Sequence, residues 1–312
     1  MSEHNLPSPF TQLWCYLLRK EYEAPARQAA TDNRIDIPRL LLFVGFHLAC
    51  VAVFWVGVSG VALLFAALFY VVRMFFITAF YHRYFSHKTY SVSRGTQFLM
   101  AVACCSTGQR GPLWWAAHHR DHHLTSDTEK DPHAPKNGFL NSHMFWFLRK
   151  NHIHVNTRRI KDLTRFPELV WLEQLNVVPL IIYIGLCYAL GVMLNNWNPA
   201  LGTSGLQMMI WAGFISTVVL YHATYCINSL AHIFGSRRFE TKDNSKNNLA
   251  LALLTLGEGW HNNHHRYPSS TRQGFYPQEI DICYGILKVM SLCGLVKDMK
   301  PVPAAVLEEG RQ

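Results

Sequence analysis

Apolar residues run almost without interruption from position 40 to 80, with one break at Gly57, Ser59 and Gly60. A helix needs roughly 20 apolar residues to cross a hydrocarbon core. The run therefore predicts two spans, 40–56 and 61–80, joined by a tight turn. A second pair follows: 172–194 is apolar, 195–205 is polar and contains Pro199 and Gly202, and 206–230 is apolar again. The pattern predicts an all-α integral membrane protein with four transmembrane helices in two hairpins and a helical cap on the wet side. Shorter apolar stretches at 98–105, 144–148 and 249–256 are too short to span a bilayer and are expected at the interface or in a core. Residues 1–39 read as a polar N-terminal segment without a cleaved signal peptide, 40–303 as the membrane domain and 304–312 as a tail.

Charge sharpens this picture. Of the 312 residues, 16% are Asp, Glu, Lys or Arg, against roughly 25% in soluble domains. That excludes a disordered chain and disfavours an ordinary soluble enzyme. The net charge of +9 would suit nucleic acid, but the basic residues are segregated by topology. Five lie at or before Arg39, thirteen in the central loop 82–170 and ten after Leu230, with none in the two connecting turns. Arg73 alone falls inside a span. Positive residues stay on the cytoplasmic side, which places both termini and the central loop there and leaves no nucleic-acid partner to expect. The eight cysteines form no CxxC pair and are read as reduced, buried hydrophobes.

Seventeen histidines then stand out, and three clusters share the predicted wet face: His82-Arg-Tyr-Phe-Ser-His87, His119-Arg-Asp-His122-His123 and His261-Asn-Asn-His264-His265. Clustered imidazoles beside a bilayer point to metal. On a helix, residues four apart are nearly in line and residues three apart diverge. His119 and His123 thus form one chelating pair and His261 and His265 another, with His122 and His264 offset toward a neighbouring position. Two crossed helices of this kind predict two adjacent metal sites, each taking a pair from one helix and one residue from the other. His82 and His87, five apart, can converge only at a helix end or in a distorted turn. Asn228 and His232, four apart at the wet end of the last span, are candidates to complete a coordination sphere. His47 and His222 lie within spans, where a polar residue is costly and often functional. His4, His118, His133, His143, His152 and His154 are expected as solvated or hydrogen-bonded loop residues. With no cysteine and few carboxylates in the clusters, a thiolate zinc site and a calcium cage are disfavoured, while Fe, Zn, Cu and Ni all suit nitrogen ligands.

The boxes resemble those of the integral-membrane fatty acid desaturases, most closely the Δ9-type acyl desaturases. The likeness extends to Ser126-Asp127 and Asp131-Pro132-His133 after the second box, to Asn228-Ser-Leu-Ala-His232, and to Gly257-Glu-Gly-Trp before the third. The resemblance implies a diiron centre: one iron on His82, His87, His119, His123 and His264, the other on His122, His232, His261 and His265 with a water held by Asn228. It implies O2 as co-substrate, a narrow acyl tunnel, a cis double bond as product, and a separate electron donor such as a ferredoxin, a rubredoxin or a cytochrome-b-type protein. Asp127, Asp131 and Glu258 are candidate acceptors of imidazole N–H groups.

One departure bears on the substrate. Acyl-CoA relatives carry an Arg-Asp pair before the second box, where this chain has Ala117 and His118, whereas Arg149 and Lys150 match a basic pair used for CoA. Acyl-CoA, acyl-lipid and acyl-carrier-protein substrates all remain open. A diiron hydroxylase of alkyl chains, a zinc lipid hydrolase and a metal transporter are the competing classes. The basic residues near the boxes (Arg83, Lys88, Arg120, Arg149, Lys150, Arg158, Arg159, Lys161, Arg266) predict a surface suited to an acidic donor and an anionic head group.

Overall fold

A computed structural model describes residues 32–311. Among them there is no strand, only isolated antiparallel bridges. Four helices are long and apolar enough to cross a membrane: α1 (Ile37–Val56), α2 (Gly60–Ser86), α6 (Val178–Trp197) and α7 (Gly205–His232). Between α2 and α6 lie α3 (Arg94–Cys105), α4 (Pro112–Thr125) and α5 (Pro167–Gln174); after α7 come α8 (Leu249–Leu254), α9 (His261–Arg266), α10 (Ile282–Leu292) and α11 (Ala304–Glu309). Outward-facing Leu41, Phe54, Trp55, Leu64, Ile181 and Leu186 are exposed, an apolar surface far larger than water tolerates and suited to lipid.

The two connecting turns sit together. Gln207 accepts from Ser59 Oγ (2.7 Å) and donates to the Val56 carbonyl (3.0 Å), and Trp211 Nε1 donates to Gly57 O (2.8 Å). The first histidine box and His232 occupy the other ends of α2 and α7. With 27 residues in α2 and 1.5 Å of rise per residue, the helix is longer than the ~30 Å hydrocarbon core. Its last turns therefore stand clear of the lipid. Arg73 is buried within the bundle, with its guanidinium bonded to Thr217 Oγ1 (2.7 Å) and Ser216 Oγ (2.9 Å) and packed 4.1 Å from the Tyr183 ring centre. Hydroxyls and an aromatic face thus solvate the charge where water does not reach.

Several sequence expectations shift. The third span begins at Val178, not at 172. Residues 172–174 close α5, where Glu173 is buried and its carboxylate accepts from Leu113 N (2.8 Å) and Trp114 N (3.2 Å), capping α4. Apolar Leu172 belongs to the core of the cap, not to the bilayer. The stretch 98–105 lies within α3, which buries Met100, Ala101, Cys104 and Cys105 in that same core. The C-terminal tail forms α11, whose Val306 packs with Phe239, Phe275 and Tyr276. Cys293 is exposed, unlike the other described cysteines.

The α4 cap yields a test. A Cβ on Gly111 would lie 2.1 Å from the Glu173 carboxylate, so glycine there lets the cap close. Glu173→Ala and Gly111→Ala should each destabilise the purified protein by about 1–2 kcal/mol, the cost of a lost helix cap, read as a lower Tm. Unchanged Tm in both would remove the cap from this account.

Candidate metal centre

Four elements bring the histidines together. The end of α2, Phe76–Ser86, is a π-helical segment, in which the amide of His87 donates to the His82 carbonyl five residues back (3.2 Å). This wider turn stacks positions five apart, and the two rings lie 4.9 Å apart. It is the distorted turn that an HxxxxH box needs. Tyr90 Oη bonds the Ala79 carbonyl (2.7 Å) and Thr78 Oγ1 bonds Thr255 O (3.0 Å), pinning the irregular segment. His119, His122 and His123 ride on capped α4.

The α9 box is set from its other face. Asn262 and Asn263 are fully buried. Asn262 Oδ1 accepts from Arg238 N (2.9 Å) and Phe239 N (2.7 Å), and Asn263 Nδ2 donates to Glu279 (2.7 Å). These anchors fix the rotation of the short helix, so that His261, His264 and His265 face the site. Gly259 packs against α8 so closely that a Cβ would sit 2.1 Å from Ala252 N, which accounts for a glycine beside this box.

Two groups result: His82, His87, His119, His123 and His264 in one, and His122, His232, His261 and His265 in the other, with the ligand atoms of each within 4.8 Å of one another. In the first, Nε2 atoms meet Nε2 atoms throughout: His87–His119 2.8 Å, His119–His123 3.0 Å, His123–His264 2.9 Å and His264–His82 3.0 Å. In the second, His232 and His261 meet through Nε2 at 3.0 Å. Hydrogen bonds alone suit this poorly, because each contact needs one ring to offer N–H and the other a lone pair. Neighbouring nitrogens around one ion at about 2.1 Å would show the same separations. The residues fit a metal.

The outer nitrogens of four rings are held by carboxylate acceptors. His122 Nδ1 donates to Asp131 (3.2 Å), His232 Nδ1 to Asp127 (3.1 Å), His265 Nδ1 to Asp243 (2.7 Å) and His82 Nδ1 to Glu258. Donation from Nδ1 leaves the lone pair on Nε2, pointing inward. Burial, reinforced by neighbouring rings, pushes His87, His119, His123, His261 and His264 well below the usual imidazole range, and His265 to about 4 despite Asp243. Neutral rings are the form that binds metal. Burial raises the Asp243 carboxyl, yet the bond from His265 outweighs it and holds the group below its ordinary range. Glu258 moves the other way: burial pushes it up to about 8, against the pull of Arg83.

Asp243 and Gln273 were not singled out from the sequence. The Gln273 amide lies 3.2 Å from His82 Nδ1 and 3.4 Å from His264 Nδ1. Both residues come from loops outside the boxes, and only the fold brings them in. His133, expected as a solvated or hydrogen-bonded loop residue, comes close to the site. It is buried, stacked on His122 (4.2 Å) and 3.4 Å from Asp131 Oδ1, and with those two it makes a third, overlapping group. His118 stacks on Trp114 at 4.3 Å. His143 is buried and bonds His222 (2.9 Å), which bonds His47 (3.0 Å) across two spans. His4 lies outside the described residues.

Asn228 lines a cavity shared with Trp115, His119 and His133. Arg149 donates to Asn33 O (3.0 Å), and Lys150 approaches Asp32 (3.9 Å), so this basic pair is engaged by the chain itself. The surface is also less cationic than the sequence suggests. Arg83 is buried against Asp281, Lys88 and Arg120 share Asp162, and Arg159 and Arg266 pair with Asp121 and Glu309.

The model of the family described as "Fatty acid desaturase" matches residues 54–273. The chain is 33% identical over 276 residues, 85% of its length and 70% of the relative's, to the probable chloroplastic lipid desaturase ADS3.2 of Arabidopsis thaliana. It is 31% identical over 278 residues, 87% of its length and 96% of the relative's, to the sn-1 stearoyl-lipid 9-desaturase of Anabaena variabilis. To the acyl-CoA 5-desaturase AL21 of Anemone leveillei it is 31% identical over 285 residues, 88% and 82% of the two chains. The chain belongs to the fatty acid desaturase family, membrane oxidoreductases that act on acyl-lipid or acyl-CoA.

Loss of an outer acceptor should loosen metal without unfolding the protein. Asp243→Ala is expected to lower metal affinity about 10–100-fold, measured by chelator competition, and His265→Ala to abolish activity while membrane insertion persists. His154→Ala should be nearly silent. Wild-type metal retention in Asp243→Ala would contradict the role given to that carboxylate.

Proposed function

We propose that this protein introduces a cis double bond into a saturated acyl chain in an O2-dependent reaction, as a Δ9-type desaturase with two histidine-held irons and electrons from a separate donor. The observation that carries the reading is the cavity whose wall includes His119 and His133 together with Phe43, Phe46, Tyr221 and Tyr225. Two irons, when bound, supply O2 activation and the removal of hydrogen from an unactivated methylene. The chain's residues supply the rest. The aromatic wall holds an alkyl chain by buried area and excludes water. Its fixed shape selects which methylene lies beside His119, and hence the double-bond position. The inward lone pairs select a nitrogen-binding metal, and the Nδ1 acceptors keep the rings in place. Zinc found in an overexpressed preparation would reflect affinity order and supply, not the working metal.

The donor, a ferredoxin, a rubredoxin or a cytochrome-b-type protein with its reductase, would meet the site on the cytoplasmic face, an orientation supported by the segregation of basic residues. Two measurements test the reading. Expressed in a host without its own desaturase, the chain should yield fatty acids lighter by two hydrogens; products heavier by one oxygen would make it a hydroxylase, and no change on any carrier would sink the proposal. In a cysteine-free background, Val58→Cys should react with an impermeant thiol reagent from outside intact cells, and Glu240→Cys only after permeabilisation. The reverse pattern would invert the topology.

A further inference from the structure

The cavity beside the histidines carries charge that the desaturation chemistry leaves unused. Arg39 and Arg110 both line it, and its lining includes no Asp or Glu. Arg39 lies in the first turn of α1, at the wet end of a span, the depth of lipid head groups. It is 6% exposed. Asp36 stands 3.9 Å from its Nε and gives its other oxygen to the Arg39 amide as helix cap (3.1 Å).

Arg110 is held with φ at 69°, a left-handed conformation uncommon outside glycine and concentrated at functional sites. Its carbonyl accepts from the Tyr81 hydroxyl, its guanidinium lies 4.5 Å over the Trp114 ring, and Nη2 donates to Phe147 O (3.1 Å). The strain is thus matched by contacts that fix a cation on the cavity wall. The residues that would serve a CoA differ. Ala117 and His118 replace one pair, and Arg149 and Lys150 are tied to Asn33 and Asp32.

We propose that Arg39 and Arg110 form a phosphate site for the head group of an acyl phospholipid, with the acyl chain lying along the aromatic wall toward His119. The proposal rests on the desaturase reading and narrows its substrate to a lipid-borne acyl chain. Guanidinium presents a planar fork of donors to phosphate oxygens, and the pairing strengthens in a low-dielectric wall. A phospholipid carries its phosphate at the interface, the depth of Arg39, whereas a CoA ester extends its phosphates into the cytosol.

The test uses the metal-loaded protein in a phosphate-free maltoside detergent with three oleoyl probes: lysophosphatidylglycerol, monooleoylglycerol and oleoyl-CoA. The lysophospholipid should bind at least about 10-fold more tightly than the neutral lipid, the gain from one charge-assisted contact. Arg110→Gln should erase that advantage, Arg110→Lys should retain part of it, and exposed Arg158→Gln should leave it intact. Equal affinities for the phosphate-bearing and neutral lipids in the wild type would overturn the proposal. Tightest binding of oleoyl-CoA, lost in Arg149→Gln but not in Arg110→Gln, would overturn it too, as would displacement of the lysophospholipid by millimolar inorganic phosphate alone. Should Arg110→Gln lose its melting transition, the wild-type ranking decides by itself. The desaturase reading fails separately, when no carrier yields an unsaturated product whatever the binding order.

Discussion

Nine imidazole rings packed into one buried volume impose the constraint on which the rest of this structure depends. Each ring brings two polar nitrogens into a region where an unsatisfied polar group is costly. The outer nitrogens of His82, His122, His232, His264 and His265 are answered by Asp127, Asp131, Asp243, Glu258 and Gln273. The inner ones meet one another at 2.8–3.0 Å, a set of contacts that becomes satisfied when all lone pairs turn toward cations. Burial keeps His119, His123 and His264 neutral and so keeps their lone pairs available. A scaffold that did not hold every ring against this mutual crowding would lose both groups.

The helices serve that requirement. Extending α2 and α7 beyond the hydrocarbon core lets lipid-embedded rods deliver His82, His87 and His232 to the wet face. The π-helical turn brings His82 and His87 onto one side, and Asn262 and Asn263 lock α9 from behind. One cavity is lined both by aromatic residues of α1 and α7 and by His119 of the first group. Stability, orientation and access thus converge on the same few turns of chain.

Much of this was legible in the sequence because helical periodicity is a local property. The HxxHH spacing separates His119 and His123 from His122, and His261 and His265 from His264, and the structure groups the side chains along the same lines. Apolar run lengths and the segregation of Arg and Lys located the spans. What escaped was non-local. Asp243 and Gln273 reach the site through loops, and no spacing rule connects them to it. Leu172 looks like part of a span but packs in the cap, because its helix ends at Gln174 and the span opens separately at Val178, with Pro179 in its first turn. The basic residues read as a cationic face, yet most are paired with carboxylates distant in sequence. His133 and His143, expected as solvated or hydrogen-bonded loop residues, are buried against His122 and His222.

The central claim is that these neutral imidazoles, and no thiolate or carboxylate, supply the protein ligands of two metal ions. X-ray absorption at the iron edge of the iron-loaded protein tests it most directly. The account predicts a first shell dominated by nitrogen at about 2.1 Å, the distance of an imidazole ligand, with the multiple-scattering signature of imidazole rings and no sulfur. A shell dominated by carboxylate oxygen, or one containing sulfur at about 2.3 Å, would contradict it.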